Sequence, residues 1–180
     1  MEKIQSYMQL VEQGIRELKF PEKPKELYEP MHYLLSLGGK RMRPVLLLMG
    51  HELFGGKSSD VLPQAIAIEL FHNFSLIHDD IMDQAPLRRG KPTVHAKWNS
   101  NVGILSGDGM LVIAYQLLSQ CKPEKLPEVI SIFSKTAIEV CEGQQFDMEF
   151  ETRDDVSIDE YIEMIALKTS VLLGGALKIG

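Results

Sequence analysis

The sequence predicts an all-α protein. Apolar residues recur at three- and four-residue intervals along most of its 180 residues, the spacing of one face of a helix. Alternating runs rich in β-branched residues, the mark of half-buried strands, are scarce. Hydrophobic residues make up 44% of the chain, which supports a real core and argues against disorder. No repeat, low-complexity stretch or linker divides the chain, so 1–180 reads as a single domain.

The elements follow in order. Ile4, Met8, Val11 and Ile15 set the stripe of a first helix, and Pro21 and Pro24 punctuate it. A second helix runs from about Lys25 to Leu37 and stops at Gly38-Gly39, a pair suited to a C-cap. A third starts near Arg43-Pro44, with proline tolerated in its first turn, and ends near Gly55-Gly56. The fourth is long, with Asp60 as its N-cap, and continues past Pro63 to about Asp83. A loop containing Pro86, Gly90 and Pro92 follows. Further helices are expected near 100–120, 125–152 and 158–178.

Charge and cysteine usage narrow the function. The net charge of −6 and pI of about 5.4 argue against general nucleic-acid binding and fit a soluble, metal-dependent protein. Cys121 and Cys141 sit in no metal-type or CxxC spacing, so a cytoplasmic, reducing setting is expected. The first residues lack the apolar run and cleavage site of a signal peptide, and no apolar run approaches the length of a membrane span. The last helix carries Val171, Leu172, Leu173, Ala176, Leu177 and Ile179 and then stops at Gly180. An apolar helix without a polar tail either docks fully or belongs to a chain cut inside a larger fold. The expectation is the cut, with a fold incomplete at its C-terminus.

The chemistry concentrates in one acidic and two basic segments. Asp79 and Asp83 are four residues apart and share a helical face, and Asp80 flanks them. Carboxylates so crowded repel one another unless a cation sits between them, and a few carboxylate oxygens with phosphate and water suit Mg²⁺. A solvated acidic helix end is the competing reading. It is weakened by the apolar helix leading in (Ile66, Ile68, Leu70, Phe71, Phe74, Leu76, Ile77) and by the helix dipole, which disfavours Asp83 at a C-terminus. Lys40, Arg41 and Arg43 follow the Gly38-Gly39 turn, and Arg88, Arg89 and Lys91 flank Gly90. Either basic segment alone reads as a charged surface turn. Beside the aspartates, the two together read as phosphate binders.

Weaker signals accompany these. His72 lies almost two turns before Asp79 and projects from the same face, although a lone histidine among apolar residues is usually a satisfied core group. His78 adjoins the aspartates and is discounted as a ligand because Mg²⁺ prefers oxygen. Lys168-Thr169 lies on an otherwise apolar helix, where a lysine can simply snorkel. Gly143, ahead of Gln144 and Asp147, suggests close approach of another group or plain helix packing.

In order and spacing these residues resemble the trans-isoprenyl diphosphate synthases, the polyprenyl synthetase family. The likeness rests on six blocks that span nearly the whole chain: Gly38-Gly39-Lys40-Arg41-Met42-Arg43-Pro44; Glu69-Leu70-Phe71-His72 leading to Leu76-Ile77-His78-Asp79-Asp80-Ile81-Met82-Asp83; Arg88 to Thr93; Gly107-Asp108; Gly143-Gln144 with Asp147; and Lys168-Thr169. The resemblance implies a bundle of mostly antiparallel helices around a central cavity. It implies condensation of isopentenyl diphosphate with an allylic diphosphate (dimethylallyl, geranyl or farnesyl) by Mg-assisted ionisation, giving a C15–C20 product. By carry-over, Asp79, Asp80 and Asp83 hold Mg²⁺, or Mn²⁺, on the allylic diphosphate. Lys40, Arg43, His72 and Arg89 hold isopentenyl diphosphate, and Arg88 and Lys168 contact the allylic diphosphate. Thr169 and Gln144 turn oxygen dipoles towards the allylic cation. Phe74 and Ser75, five and four residues before Asp79, limit product length in a pattern that resembles enzymes making geranylgeranyl diphosphate. A homodimer is the family default.

The family's second DDxxD motif is not found, and Asp154-Asp155 is no substitute because Asp159 is too far on. The chain therefore reads as the N-terminal part of a synthase, and the activity of an isolated 180-residue chain is in question. Two alternatives stay open. A terpene cyclase shares the aspartate motif but has no need of Lys40, Arg43 and His72. A noncatalytic or truncated diphosphate-binding subunit would account for the missing motif.

Overall fold

A computed structural model describes residues 2–180. Its helices are α1 (Glu2–Glu17), α2 (Lys25–Ser36), α3 (Met42–Leu53), α4 (Leu62–Met82), α5 (Val94–Lys97), α6 (Ser100–Leu118), α7 (Leu126–Phe150), α8 (Ile158–Ile165) and α9 (Val171–Ile179). The fold is all-α apart from one two-stranded ladder, as the helical periodicity implied. α4 is the central element. It packs on α1, α3 and α6, while α9 lies against α3 and α7. Eleven of the residues of α4 are buried, among them Ile68, Leu70, Phe71 and Ile77. Phe71 meets Phe133 of α7 edge-on, with ring centroids 5.2 Å apart, which joins the two halves of the core. Each such side chain contributes about 1.5–3 kcal/mol on burial, so α4 cannot leave the bundle without collapse of the core.

Several local expectations change. The buried face of α1 carries Tyr7, Val11, Gly14 and Ile15, whereas Ile4 is 39% exposed. Tyr7 wins that place because its hydroxyl donates to Glu52 Oε2 of α3 at 2.6 Å. Gly38 takes the left-handed conformation (φ 73°) just past α2, as a C-cap glycine should. Asp60 does not cap α4. It sits in a 3₁₀ turn, Ser58–Val61, and Val61 precedes the helix with no side-chain cap. Pro63 lies where a cap at Asp60 would seek a backbone N–H, and proline has none.

The expected loop after Asp83 contains a hairpin. Leu87–Arg88 (β1) pairs antiparallel with Lys91–Pro92 (β2). Arg89 (φ 53°) and Gly90 (φ 74°) form its two-residue turn, and positive φ at both central positions is what the right-handed twist of a hairpin selects. The last expected helix is split by a π-helical turn, Ala166–Ser170, between α8 and α9. A π-turn shifts the helical register over a single turn, too short a stretch for periodicity to register.

One helix meets the length and composition of a membrane span. α6 is 19 residues long with a mean hydropathy of 1.2, apolar and long enough to cross a bilayer by those measures. Asp108 is its only charged residue, which is how it reaches that value. In the fold, Gly103, Ser106, Gly107, Met110, Ala114 and Leu118 form its buried stripe.

Candidate functional site

Two cavities meet at Arg43 and His72. The first, about 460 Å³, lies between α4, α7 and the π-turn, and its polar end is formed by Asp79, Gln144, Lys168 and Thr169. Its apolar side includes Phe74, Met82, Val140, Met148 and Leu172. The second, about 420 Å³, is lined by Gly39, Lys40, Arg41, Met42, Arg43, Glu69, His72 and Arg89. Arg43 and His72 line both.

The cations of the second cavity divide sharply by partner. Arg41 is bound on all sides: Nε donates to Glu12 Oε1 (2.7 Å), Nη1 to Glu69 Oε1 (2.6 Å) and Nη2 to the Leu35 carbonyl (2.9 Å). Asn73 donates to Glu69 as well, at 3.0 Å. This is a folding element. It holds α1, α3 and α4 together and fixes Arg41 at φ 48° ahead of α3. Among the described residues, Lys40, Arg43 and Arg89 make no ion pair. Arg43 Nε is buried without any hydrogen-bond partner. Burial pulls the Arg43 guanidinium below its ordinary pKa, and burial followed by the charge of Arg41 does the same to Arg89. Unpaired cations gathered in a cavity cost free energy until an anion arrives. The backbone is strained there too, with Arg41 and Arg89 both in the left-handed region.

The aspartates are arranged differently. Asp80 is 3% exposed, and both its oxygens meet Arg88: Nε donates to Oδ2 at 2.8 Å, and Nη2 lies 2.8 Å from Oδ1. Arg88 Nη2 also reaches Asp79 Oδ2 at 3.3 Å. Lys168 Nζ bridges α4 and α7, donating to Asp147 Oδ2 and lying 3.0 Å from Asp79 Oδ1. That last contact is an ion pair with a buried oxygen of Asp79. Burial disfavours the Lys168 ammonium, but the two carboxylates outweigh it and hold its pKa above the ordinary value. Asp83 caps the end of α4 on the surface. Crowding by protein atoms and then the charge of Asp79 push its carboxyl above the ordinary range.

Among the described residues, no three acidic, histidine or cysteine side chains converge as a ready-made metal site. The donor set still fits a divalent cation that takes most of its oxygens elsewhere. Asp79 offers a buried oxygen whose ionic neighbour is the Lys168 ammonium, and Asp79 and Asp83 repel each other at one helix end.

The family is decided by comparison with known proteins. The sequence model of the polyprenyl synthetases matches residues 24–180. The chain belongs to the polyprenyl synthetase family. It is 47% identical to a geranylgeranyl diphosphate synthase of Methanosarcina mazei over 94% of this chain and 53% of that protein. Its fold matches the crystal structure of a geranylgeranyl pyrophosphate synthase with a TM-score of 0.94 at 53% identity, covering 97% of this chain and 53% of that one. The geranylgeranyl pyrophosphate synthetase of Geoglobus acetivorans also matches with a TM-score of 0.94, at 41% identity, covering 98% of this chain and 58% of that one. The chain spans about half the length of the curated relatives it matches.

In this member of the family, Gly143 has a clear geometric reason. A Cβ there would lie 2.2 Å from the Lys168 backbone nitrogen and 2.7 Å from the Leu167 carbonyl carbon. Only glycine lets α7 rest on the π-turn that carries Lys168 and Thr169 into the cavity. Of the two readings of Gly143, close approach is the one observed. Gln144 follows with its Nε2 buried and unpartnered. Sequence reasoning left out Asp147 as a site residue and set His78 aside. Asp147 anchors Lys168, and His78 lines the first cavity. The available signal for Asp147 was its spacing, one helical turn after Gly143.

Proposed function

We propose that this chain binds isopentenyl diphosphate beside an allylic diphosphate and joins them head to tail. The observation that carries the reading is the shared wall of Arg43 and His72 between a cavity of unpaired cations and a cavity that is apolar beyond Asp79. One cavity suits a diphosphate held directly by protein cations, and the other suits a diphosphate with a hydrocarbon tail.

In this reading Lys40, Arg43 and Arg89 bind the isopentenyl diphosphate, and His72 packs beside them as a neutral ring. Arg88 and Lys168 turn from their aspartates towards the allylic diphosphate. Asp79 and Asp83, with Asp80 beside them once Arg88 has turned away, would hold Mg²⁺, and the metal would supply positive charge to the departing diphosphate. The allylic C–O bond breaks and its electrons leave with diphosphate. The isopentenyl double bond attacks the allylic cation, and a proton is lost to the released diphosphate. Gln144 and Thr169 present polar atoms to the cation, and the apolar wall keeps water away.

Phe74 and Ser75 line the first cavity, and their likeness to the family's pattern supports a product of C15–C20. Phe74→Ala should lengthen the product and Ser75→Phe should shorten it. If neither alters the product distribution, these residues do not set length. Two copies should pair through the open face of α6, where Leu105 is 62% and Val112 57% exposed, and sedimentation of a Leu105→Glu variant tests this.

The decisive experiment titrates the protein with isopentenyl diphosphate and with dimethylallyl thiodiphosphate in Mg²⁺, then follows incorporation of labelled isopentenyl diphosphate. Binding of both with bond formation is expected. Binding without incorporation would favour a noncatalytic subunit, and failure to bind isopentenyl diphosphate would overturn the reading in favour of a cyclase.

A further inference from the structure

His78 is the histidine of the cavity wall that neither the metal nor the diphosphate reading uses. Its ring meets the Phe74 ring edge-on, with centroids 4.6 Å apart. Both rings line the first cavity. Behind His78 stands α6. His78 Nε2 lies 3.3 Å from the Ile104 carbonyl and 3.7 Å from Asp108 Oδ1. The ring reaches that far only because residue 107 is glycine. A Cβ on Gly107 would sit 2.5 Å from His78 Nε2, 2.7 Å from its Cδ2 and 3.4 Å from Phe74 Cδ2. Phe74 is backed on its other side by Phe71, with centroids 5.5 Å apart, and Phe71 is 1% exposed. The Phe74 ring thus has a fixed neighbour in the core and an adjustable one in His78.

We propose that Gly107 and His78 are specificity-determining positions for the length of prenyl tail the cavity accepts. Gly107 is the notch that seats His78, and His78 holds Phe74 in place. The inference rests on the prenyl diphosphate reading above and adds to it two residues that touch no diphosphate group. The geometry dictates direction. A methyl group at 107 drives the imidazole off α6 towards the cavity and shortens the space for a tail. Removal of the imidazole opens the wall and frees Phe74 to swing towards α6.

The test is equilibrium binding of prenyl thiodiphosphates of five, ten, fifteen and twenty carbons in Mg²⁺, read by calorimetry, so that turnover is not needed. Gly107→Ala should weaken binding of the longest tail that the parent protein accepts by about tenfold and leave the five-carbon ligand unchanged. His78→Ala should extend the accepted length. In the double variant the methyl at 107 no longer meets an imidazole and keeps only an ordinary van der Waals contact with Phe74, so it should behave nearly like His78→Ala alone. A uniform loss for all tails in Gly107→Ala, or an unchanged penalty in the double variant, would make Gly107 a plain packing residue and overturn the proposal. If Gly107→Ala does not fold, His78→Ala decides alone: an unchanged tail profile overturns it. A parent protein that binds none of the ligands overturns the prenyl diphosphate reading and this inference with it. A parent that binds them while the variants keep its profile overturns this inference only.

Discussion

Arg43 Nη1 lies 3.2 Å from His72 Nε2, and this contact fixes the state of the histidine. A guanidinium has no atom that accepts a hydrogen bond, so Nε2 accepts and the ring proton sits on Nδ1. Burial, followed by the charges of Arg43 and Arg89, pushes the imidazole down to about 3. The wall between the two cavities therefore carries the charge of Arg43 without a second cation beside it.

The histidine gives a pH dependence with a definite sign. In the unfolded chain it takes up a proton near its ordinary value of 6.5, whereas in the folded protein it does so only near 3. Between those values the unfolded state binds more protons, so stability rises with pH there. The contribution is complete above about 6.5 and is lost as pH falls towards 3. His72→Asn removes it. Denaturation at pH 7, 6 and 5 should show the parent losing up to about 1.4 kcal/mol per pH unit more than the variant. Parallel pH profiles would mean that His72 titrates normally in the fold.

Arg41 and Arg43 should behave oppositely although they are two residues apart. Arg41→Ala leaves Glu69 buried with Asn73 as its remaining side-chain partner, and breaking such a pair costs about 3–5 kcal/mol of stability. Arg43→Ala removes a cation with no ion pair, so thermal stability should hold. Its effect should appear as weaker isopentenyl diphosphate binding, by roughly 1.5–3 kcal/mol. Lys40→Ala should resemble Arg43→Ala. Thermal unfolding and calorimetry on the same preparations separate the two classes. A fully folded Arg41→Ala with impaired binding alone would contradict the assignment of Arg41 to the fold.

That contrast also marks how far the sequence could be read. Helices were legible because burial imposes a 3.6-residue period wherever a helix lies on a core, as along α4. The hairpin turn at Arg89-Gly90 was missed because arginine seldom adopts positive φ, and only its pairing context reveals the turn. Within the site, the convergence of Lys40, Arg43, His72 and Arg89 was legible through the family resemblance. The distinct role of Arg41 was not, since its partners Glu12 and Glu69 are 29 and 28 residues away and nothing local distinguishes it from its neighbours. The π-turn was hidden for the same kind of reason, because it packs against Gly143, more than twenty residues earlier.

The aspartates can be tested without turnover. Asp79→Asn removes the charge facing Lys168 and replaces one of the two carboxylate oxygens by an amide nitrogen that cannot ligate a cation. Mg²⁺ should strengthen allylic thiodiphosphate binding to the parent protein, and this increment should vanish in Asp79→Asn and fall in Asp83→Asn. Circular dichroism should show the helices intact in both. Any turnover the parent shows should drop by about two orders of magnitude or more. An undiminished Mg²⁺ increment in Asp79→Asn would remove the metal from this helix end.

The last prediction concerns the contact between α7 and the π-turn. A Cβ at Gly143 meets the Lys168 and Leu167 backbone, which cannot swing aside as a side chain could. Gly143→Ala must therefore separate the two segments, at a cost of about 1–3 kcal/mol, the range for overpacking. For a chain of this size each kcal/mol lowers the melting temperature by about 2–4 °C. The separation carries Lys168 away from Asp79 and Asp147, which hold its pKa above the ordinary value of 10.5. In the variant the Lys168 ammonium should titrate nearer 10.5, a shift that nitrogen-detected NMR of labelled lysine would report. Loss of stability with an unchanged Lys168 titration would show that α7 yields elsewhere and that Gly143 does not position the lysine.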